Sequence, residues 1–100
     1  MRLLKLEKSD KPDKKYMATF ETDSGRTKTT HFGAVVNGKP MDDYTLTHDK
    51  EQRDRYRERH AKDLRTGDPS RAGFLSMEIL WGPYTSVTKN LEAYKRKYNL

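Results

Sequence analysis

The densest chemistry in the sequence lies between residues 48 and 63, where Arg53, Arg55, Arg57, Arg59 and Lys62 crowd one segment. On a helix, Arg53 and Arg57 stand four residues apart and share a face, with Tyr56 beside them. Two guanidinium groups so placed suit a phosphate backbone or the carboxylates of another protein. Asp54, Glu58 and Asp63 interleave with them and dilute the potential. The same segment therefore also reads as a solvated, salt-bridged face. His60 continues the Tyr56 line at the next four-residue step. Lys95-Arg96-Lys97 carries the same two readings. The residues expected to meet a partner are Arg53, Tyr56, Arg57, His60, Lys95, Arg96 and Lys97.

Other constellations are weaker. His31, His48 and His60 are the only histidines. His48 and His60 are twelve residues apart on one expected helix, about 18 Å by the helical rise, so they cannot share a metal within one copy. Asp42-Asp43 is a carboxylate pair of the kind that holds magnesium on phosphates. Neighbours in an extended chain point to opposite sides, and no Gly-rich phosphate loop accompanies the pair. These acids are expected to serve a turn or a helix start. No serine sits in a nucleophile elbow, and the absence of cysteine removes thiolate metal sites, thiol nucleophiles and disulfides. No catalytic centre, metal site or cofactor is expected.

The elements that would position these residues follow from periodicity. Leu4 and Leu6 flank Lys5 in a short strand. Residues 14–22 alternate, with Tyr16, Ala18 and Phe20 on one face and Lys15, Met17 and Thr19 on the other. A turn at Asp23-Ser24-Gly25-Arg26 leads to a partner strand, Thr27 to Phe32, whose outer edge could pair with another chain. Residues 33–43 read as a loop, with a small hairpin signal at Asn37-Gly38. Asp42 to Leu46 reads as extended or turn-like.

Residues 48–63 read as a helix capped by Thr47 or Asp49, with almost no apolar stripe beyond Tyr56, His60 and Leu64. Asp68 and Pro69 suit the start of an apolar helix over about residues 70–81, stopped by Gly82-Pro83. Thr85 or Ser86 caps a last helix to about Lys97, striped by Val87, Leu91, Tyr94 and Tyr98. The expected fold is one α+β domain, a small antiparallel sheet of about three strands followed by three helices packed on it.

Composition limits the core. Hydrophobic residues are 32% of the chain and charged residues 36%, whereas apolar residues usually make up roughly 45–50% of a globular domain. The core must lean on the ten aromatics, and a partner would complete it. No apolar run is long enough to span a bilayer, and Met1 to Glu7 lacks the apolar stretch of a signal peptide, so a reducing intracellular setting is expected. The net charge of +6 is scattered along the chain. A duplex-binding domain usually gathers its cations on one face. A binding protein is expected rather than an enzyme, with nucleic acid a less favoured partner than protein.

A series of short motifs adds to this reading. They are Lys28-Thr29-Thr30-His31-Phe32-Gly33-Ala34, Asp43-Tyr44-Thr45, His48-Asp49-Lys50-Glu51 through Arg55-Tyr56 and Arg59-His60, Asp68-Pro69 through Ala72-Gly73-Phe74-Leu75-Ser76, and Leu80-Trp81-Gly82. In this order they resemble a family of small proteins encoded by large nucleocytoplasmic DNA viruses of algae and amoebae. The resemblance covers about residues 14–98; the loop from Gly33 to Asp43 is longer here. It implies a structural role in the virion, as a minor capsid protein made in the host cytoplasm and lying under the major capsid shell. The implied partners are the major capsid protein, other minor capsid proteins and further copies of this chain. No enzymatic activity comes with it.

Overall fold

The computed structural model describes residues 1–100. Four antiparallel strands come first, β1 (Arg2–Lys8), β2 (Lys14–Glu21), β3 (Thr27–Val36) and β4 (Lys39–Pro40), hydrogen-bonded in the order β1-β2-β3-β4. Helical segments follow: α1 (Tyr44–Thr47), α2 (Lys50–Arg59), a 3-10 helix (Ala61–Thr66), α3 (Ala72–Leu75), a π-helical turn (Ser76–Leu80) and α4 (Val87–Tyr98). No helix is long and apolar enough to cross a membrane. The mixed architecture, strands before helices, is the expected one. The strand count is not, because β3 runs on to Val36 and turns back.

That return is written in Asn37-Gly38. Their φ angles are 51° and 77°. Two successive positive φ values match the twist of a tight antiparallel hairpin. The segment expected as a loop thus forms the β3–β4 hairpin, pairing Val35 with Pro40 and Val36 with Lys39.

The alternation in β2 holds. Ala18 and Phe20 have no exposed surface, and Tyr16 faces Phe32 across the ladder with ring centroids 5.9 Å apart. In β1 the expected pairing of Leu4 with Leu6 on one face is corrected. Leu3 lies opposite Phe20 and Leu6 opposite Ala18, with the register slipping between Leu3 and Lys5. Residues three apart fall on opposite faces of a regular strand. A bulge absorbs the odd residue and brings both Leu3 and Leu6 to the core face. Leu3 is 4% exposed, and Leu4, turned out, is 42% exposed.

Gly33, at φ +81°, brings helix and sheet close together. A Cβ there would lie 2.9 Å from the Lys15 Cβ and 3.1 Å from Leu80 Cδ1. Leu80 can therefore press on the sheet only over a glycine. The core joins Leu3, Phe20 and Phe32 of the sheet to Phe74, Leu75, Ile79, Leu80 and Trp81, with Tyr94 of α4 closing it.

The helices depart further from expectation. Of the two readings of Asp42 to Leu46 the turn-like one fits, because the Asp43 carboxylate accepts the Thr45 N–H at 2.8 Å and starts the single turn of α1. Residues 48–63 do not form one helix. Asp49 caps α2 through the Gln52 N–H, but the helix stops at Arg59 and the chain tightens into 3-10 geometry. Asp68 does not cap the apolar helix. It accepts the N–H and hydroxyl of Ser70, at 3.0 and 2.6 Å, in a turn. The apolar segment starts at Ala72 and widens at Ser76, where the Trp81 N–H reaches back five residues to the Ser76 carbonyl at 3.0 Å. Ser86 caps α4 as expected.

The bulge yields a direct test. Leu3→Ala should cost about 2–4 kcal/mol of unfolding free energy by urea titration, and Leu4→Ala less than about 0.5 kcal/mol. Equal losses would return the strand to regular alternation.

Candidate functional site

Helix α2 has no buried residue. A helix that is polar on all sides needs something other than an apolar stripe to hold it. Three of the residues expected to meet a partner do that work. Arg57 donates from Nη1 to the carbonyls of Met77 and Trp81, at 2.7 and 2.9 Å. Tyr56 lies between Trp81 and His60, with ring centroids 4.1 Å away on each side and interplanar angles of 8° and 23°. Arg53 packs over the Tyr44 ring at 4.8 Å and pairs with Asp54 at 3.0 Å. Burial pushes the Tyr56 phenol above its usual pKa, and the Asp63 charge adds to the effect.

The C-terminal trio divides. Lys95 and Arg96 are exposed in the last turn of α4, where cations suit the helix dipole. Lys97 turns toward Glu78, its Nζ 3.6 Å from Oε2. Burial works against its charge, but Glu78 and Tyr98 outweigh that and raise its pKa. The seven expected residues therefore do not form one face. Arg53, Arg57 and Lys97 line a single pocket of about 370 Å³ between α2 and α4. Tyr56 and His60 build the stack beside it.

The pocket floor was not foreseen. Glu78 and Asn90 line it, 7% and 0% exposed. Asn90 ties the chain after the π turn, donating to the carbonyls of Ile79 and Tyr84, both at 2.8 Å, and accepting the Tyr84 N–H at 2.9 Å. Gly82 allows this packing, since a Cβ there would sit 2.3 Å from the Glu78 carbonyl oxygen. A signal did exist for Glu78: it is the one charged residue in the run Phe74 to Trp81.

A second cleft, about 730 Å³, opens between the β3–β4 hairpin and α2. Lys15 crosses its base to Asp43, an ion pair of 2.5 Å with side chains only 8% and 2% exposed. Val36 and Met41 on its lip are 52% and 51% exposed. Leu46, on a neighbouring cavity, is 57% exposed.

The histidines are dispersed. His31 is bonded to the Ser9 hydroxyl at 2.8 Å, His48 takes the left-handed position that ends α1, and His60 lies 3.5 Å from Asp63. No group of three His, Asp or Glu side chains is placed to hold a metal ion.

Fold and site together define a small mixed α/β protein with a polar pocket lined by charges of both signs and a cleft with apolar lips. The chain belongs to a family of unknown function, DUF5754, whose model matches residues 4–60. That span takes in β1 from Leu4 onward, the other three strands, α1 and α2, and stops before the π turn and α4. No curated protein and no solved structure matches the chain.

Two measurements check these contacts. Arg57→Ala should cost about 2–4 kcal/mol, since it orphans two carbonyls and Glu78, while Lys95→Ala and Arg96→Ala should stay within about 0.5 kcal/mol. Burial, with Tyr98 and Glu78, lifts the Tyr94 phenol well above its usual 10.0. A raised folded pKa contributes stability that is full below 10.0 and lost as pH rises from there toward the folded value. Unfolding free energy should fall above pH 10.0, and Tyr94→Phe should flatten that fall.

Proposed function

We propose that the chain is a structural component of a virus particle, a minor capsid protein that bridges or cements the capsid shell through contacts with other proteins. The observation that carries the proposal is the ordered motif series from Lys28 to Gly82, with its resemblance to small proteins of large DNA viruses. The surface is compatible with that role. Val36 and Met41 offer apolar contacts at the lip of the wide cleft, and Lys39 and Arg59 line it as well. An apolar centre with a charged rim is the usual composition of a protein interface. The major capsid protein and other minor capsid proteins are the partners this reading assigns, with self-association beside them. The virion is the expected location, after synthesis in host cytoplasm.

A second reading, a small basic protein that binds nucleic acid, is favoured by the +6 charge and by exposed Lys95 and Arg96. It is the weaker of the two, because Arg57 spends its donors on backbone carbonyls and Arg53 is paired with Asp54. Helix α2 then has fewer free cations for phosphates.

Quantitative mass spectrometry of purified particles tests the first reading. The chain should appear in fixed ratio to the major capsid protein, and trace amounts would remove the proposal. In the same particles, Val36→Asp with Met41→Asp should lower incorporation about tenfold or more while leaving the monomer folded. Duplex DNA affinity that falls steeply with salt would move the assignment to the second reading.

A further inference from the structure

A further cavity, of about 540 Å³, opens where β1 turns into β2, facing the β3–β4 hairpin and α1. Its two walls differ in chemistry. Lys8, Lys11 and Lys14 stand on the wall made by the β1–β2 connection, and Val35, Pro40 and Leu46 on the wall made by the hairpin and α1. Lys15 also lines it, but its ammonium is committed to Asp43. The other acid on the lining, Asp10, has 77% of its side chain exposed and stands 4.0 Å from His31. Lys8, Lys11 and Lys14 enter no ion pair. Lysine therefore exceeds aspartate on the lining by four to two. The walls are tied to each other, the Val35 N–H donating to the Asp13 carbonyl at 3.0 Å.

We propose that this cavity docks an extended acidic segment of a partner protein, in which one apolar residue lies between two carboxylates. Successive side chains of an extended chain point to opposite sides. The apolar residue then faces Val35, Pro40 and Leu46, while the acids before and after it face Lys8, Lys11 and Lys14. Leu46, 57% exposed, gains the apolar cover it lacks within the chain. Strand addition is not the mode here, because Pro40 removes a donor from the β4 edge. Recognition falls to side chains.

Other occupants fit less well. No arginine lines the cavity, so the bidentate fork that favours phosphate is missing. Tyr16 is the one aromatic on the lining, and it is half-buried, which leaves no platform for stacked bases. A lipid surface meets side chains that project, whereas these line a cavity. The inference rests on the reading of the chain as a protein-binding module, and it gives one partner contact a chemistry. Its test uses the isolated chain, so its failure leaves the place in a particle standing, and absence from particles leaves the peptide site standing.

Backbone amide NMR of the whole chain decides the matter, with the blocked peptide Gly-Glu-Leu-Glu-Gly as probe. Saturable shifts should gather in residues 9–14 and 35–46. The rearranged peptide Glu-Gly-Leu-Gly-Glu has the same composition but turns its acids to the leucine side, and should bind about fivefold more weakly. Exchanging the leucine for serine should weaken binding about tenfold. Lys8→Gln with Lys11→Gln, both at exposed positions, should cost about fivefold, and Leu46→Ser a similar factor; the amide spectrum of each variant shows that it is folded. The proposal is overturned by any of four results. They are no shifts at about 10 mM peptide, equal binding of the rearranged peptide, unchanged binding by the folded double lysine variant, and saturation of the same amides by phosphatidylserine vesicles or oligothymidine at lower concentration than the peptide.

Discussion

The guanidinium of Arg57 joins two parts of the molecule that have little else to hold them together. A π-helical turn is wider than an α-helix, and it leaves carbonyls at its end without regular partners. Those of Met77 and Trp81 are taken by one nitrogen of Arg57. In return, α2 gains a polar anchor in place of the apolar stripe it lacks, having no buried side chain. The Tyr56 stack on Trp81 follows from the same docking, because Arg57 fixes the helix one residue away. The pocket exists because that docking holds α2 against α4 across the π turn.

The sheet side depends on a different economy. Only 16 of 100 residues are buried, so each core position carries a large share of the stability. Burying one large apolar side chain contributes about 1.5–3 kcal/mol. That is a sizeable part of the about 5–15 kcal/mol typical of a whole domain. The fold therefore accepts irregular backbone in order to bury side chains. The β1 bulge recovers Leu3 and Leu6 for the core, and the glycine at position 33 lets Leu80 approach the sheet. The buried Lys15–Asp43 pair works in the same spirit. It joins β2 to the residue that starts α1, and its cost is limited because Thr45 supplies Asp43 with further bonds.

What could be read in the sequence was what depends on near neighbours. The alternation of Tyr16, Ala18 and Phe20 needs only the pleat. The caps at Asp49 and Ser86 need only the next three residues. Asn37-Gly38 announced a hairpin in a segment whose Gly33 and Pro40 read as loop. What escaped was set by tertiary demand. No local pattern tells Leu3 from Leu4; Phe20 across the ladder does. Asp68 before Pro69 carries a genuine helix-start signal, but its carboxylate went to Ser70 instead. The break of the 48–63 helix at His60 lies in a run of good helix formers. The arginine pattern was legible as chemistry but not as direction. Spacing placed Arg53 and Arg57 on one face, and only the packed structure turns that face inward.

Glu78 is where the logic of the rest fails to reach. Elsewhere the protein satisfies its buried polar atoms: Asn90 makes three bonds and Ser70 is bonded to Asp68 and Lys28. A methionine or leucine at position 78 would pack among Met77, Ile79 and Leu80 without any desolvation penalty, and buried ion pairs are often matched or bettered by apolar replacements. Direct bonds to Arg57 and Lys97 would be expected. Both cations stop a few tenths of an ångström beyond that range. Arg57 has a reason to stop, since its nearer nitrogen is committed to two carbonyls. Lys97, with 60% of its side chain exposed, divides itself between Glu78 and the Tyr98 ring, whose centroid lies 5.4 Å from its Nζ. The buried carboxylate is thus held by charge alone, between two cations of which one is already committed to the backbone, and it ties α2 and α4 to the π turn at once.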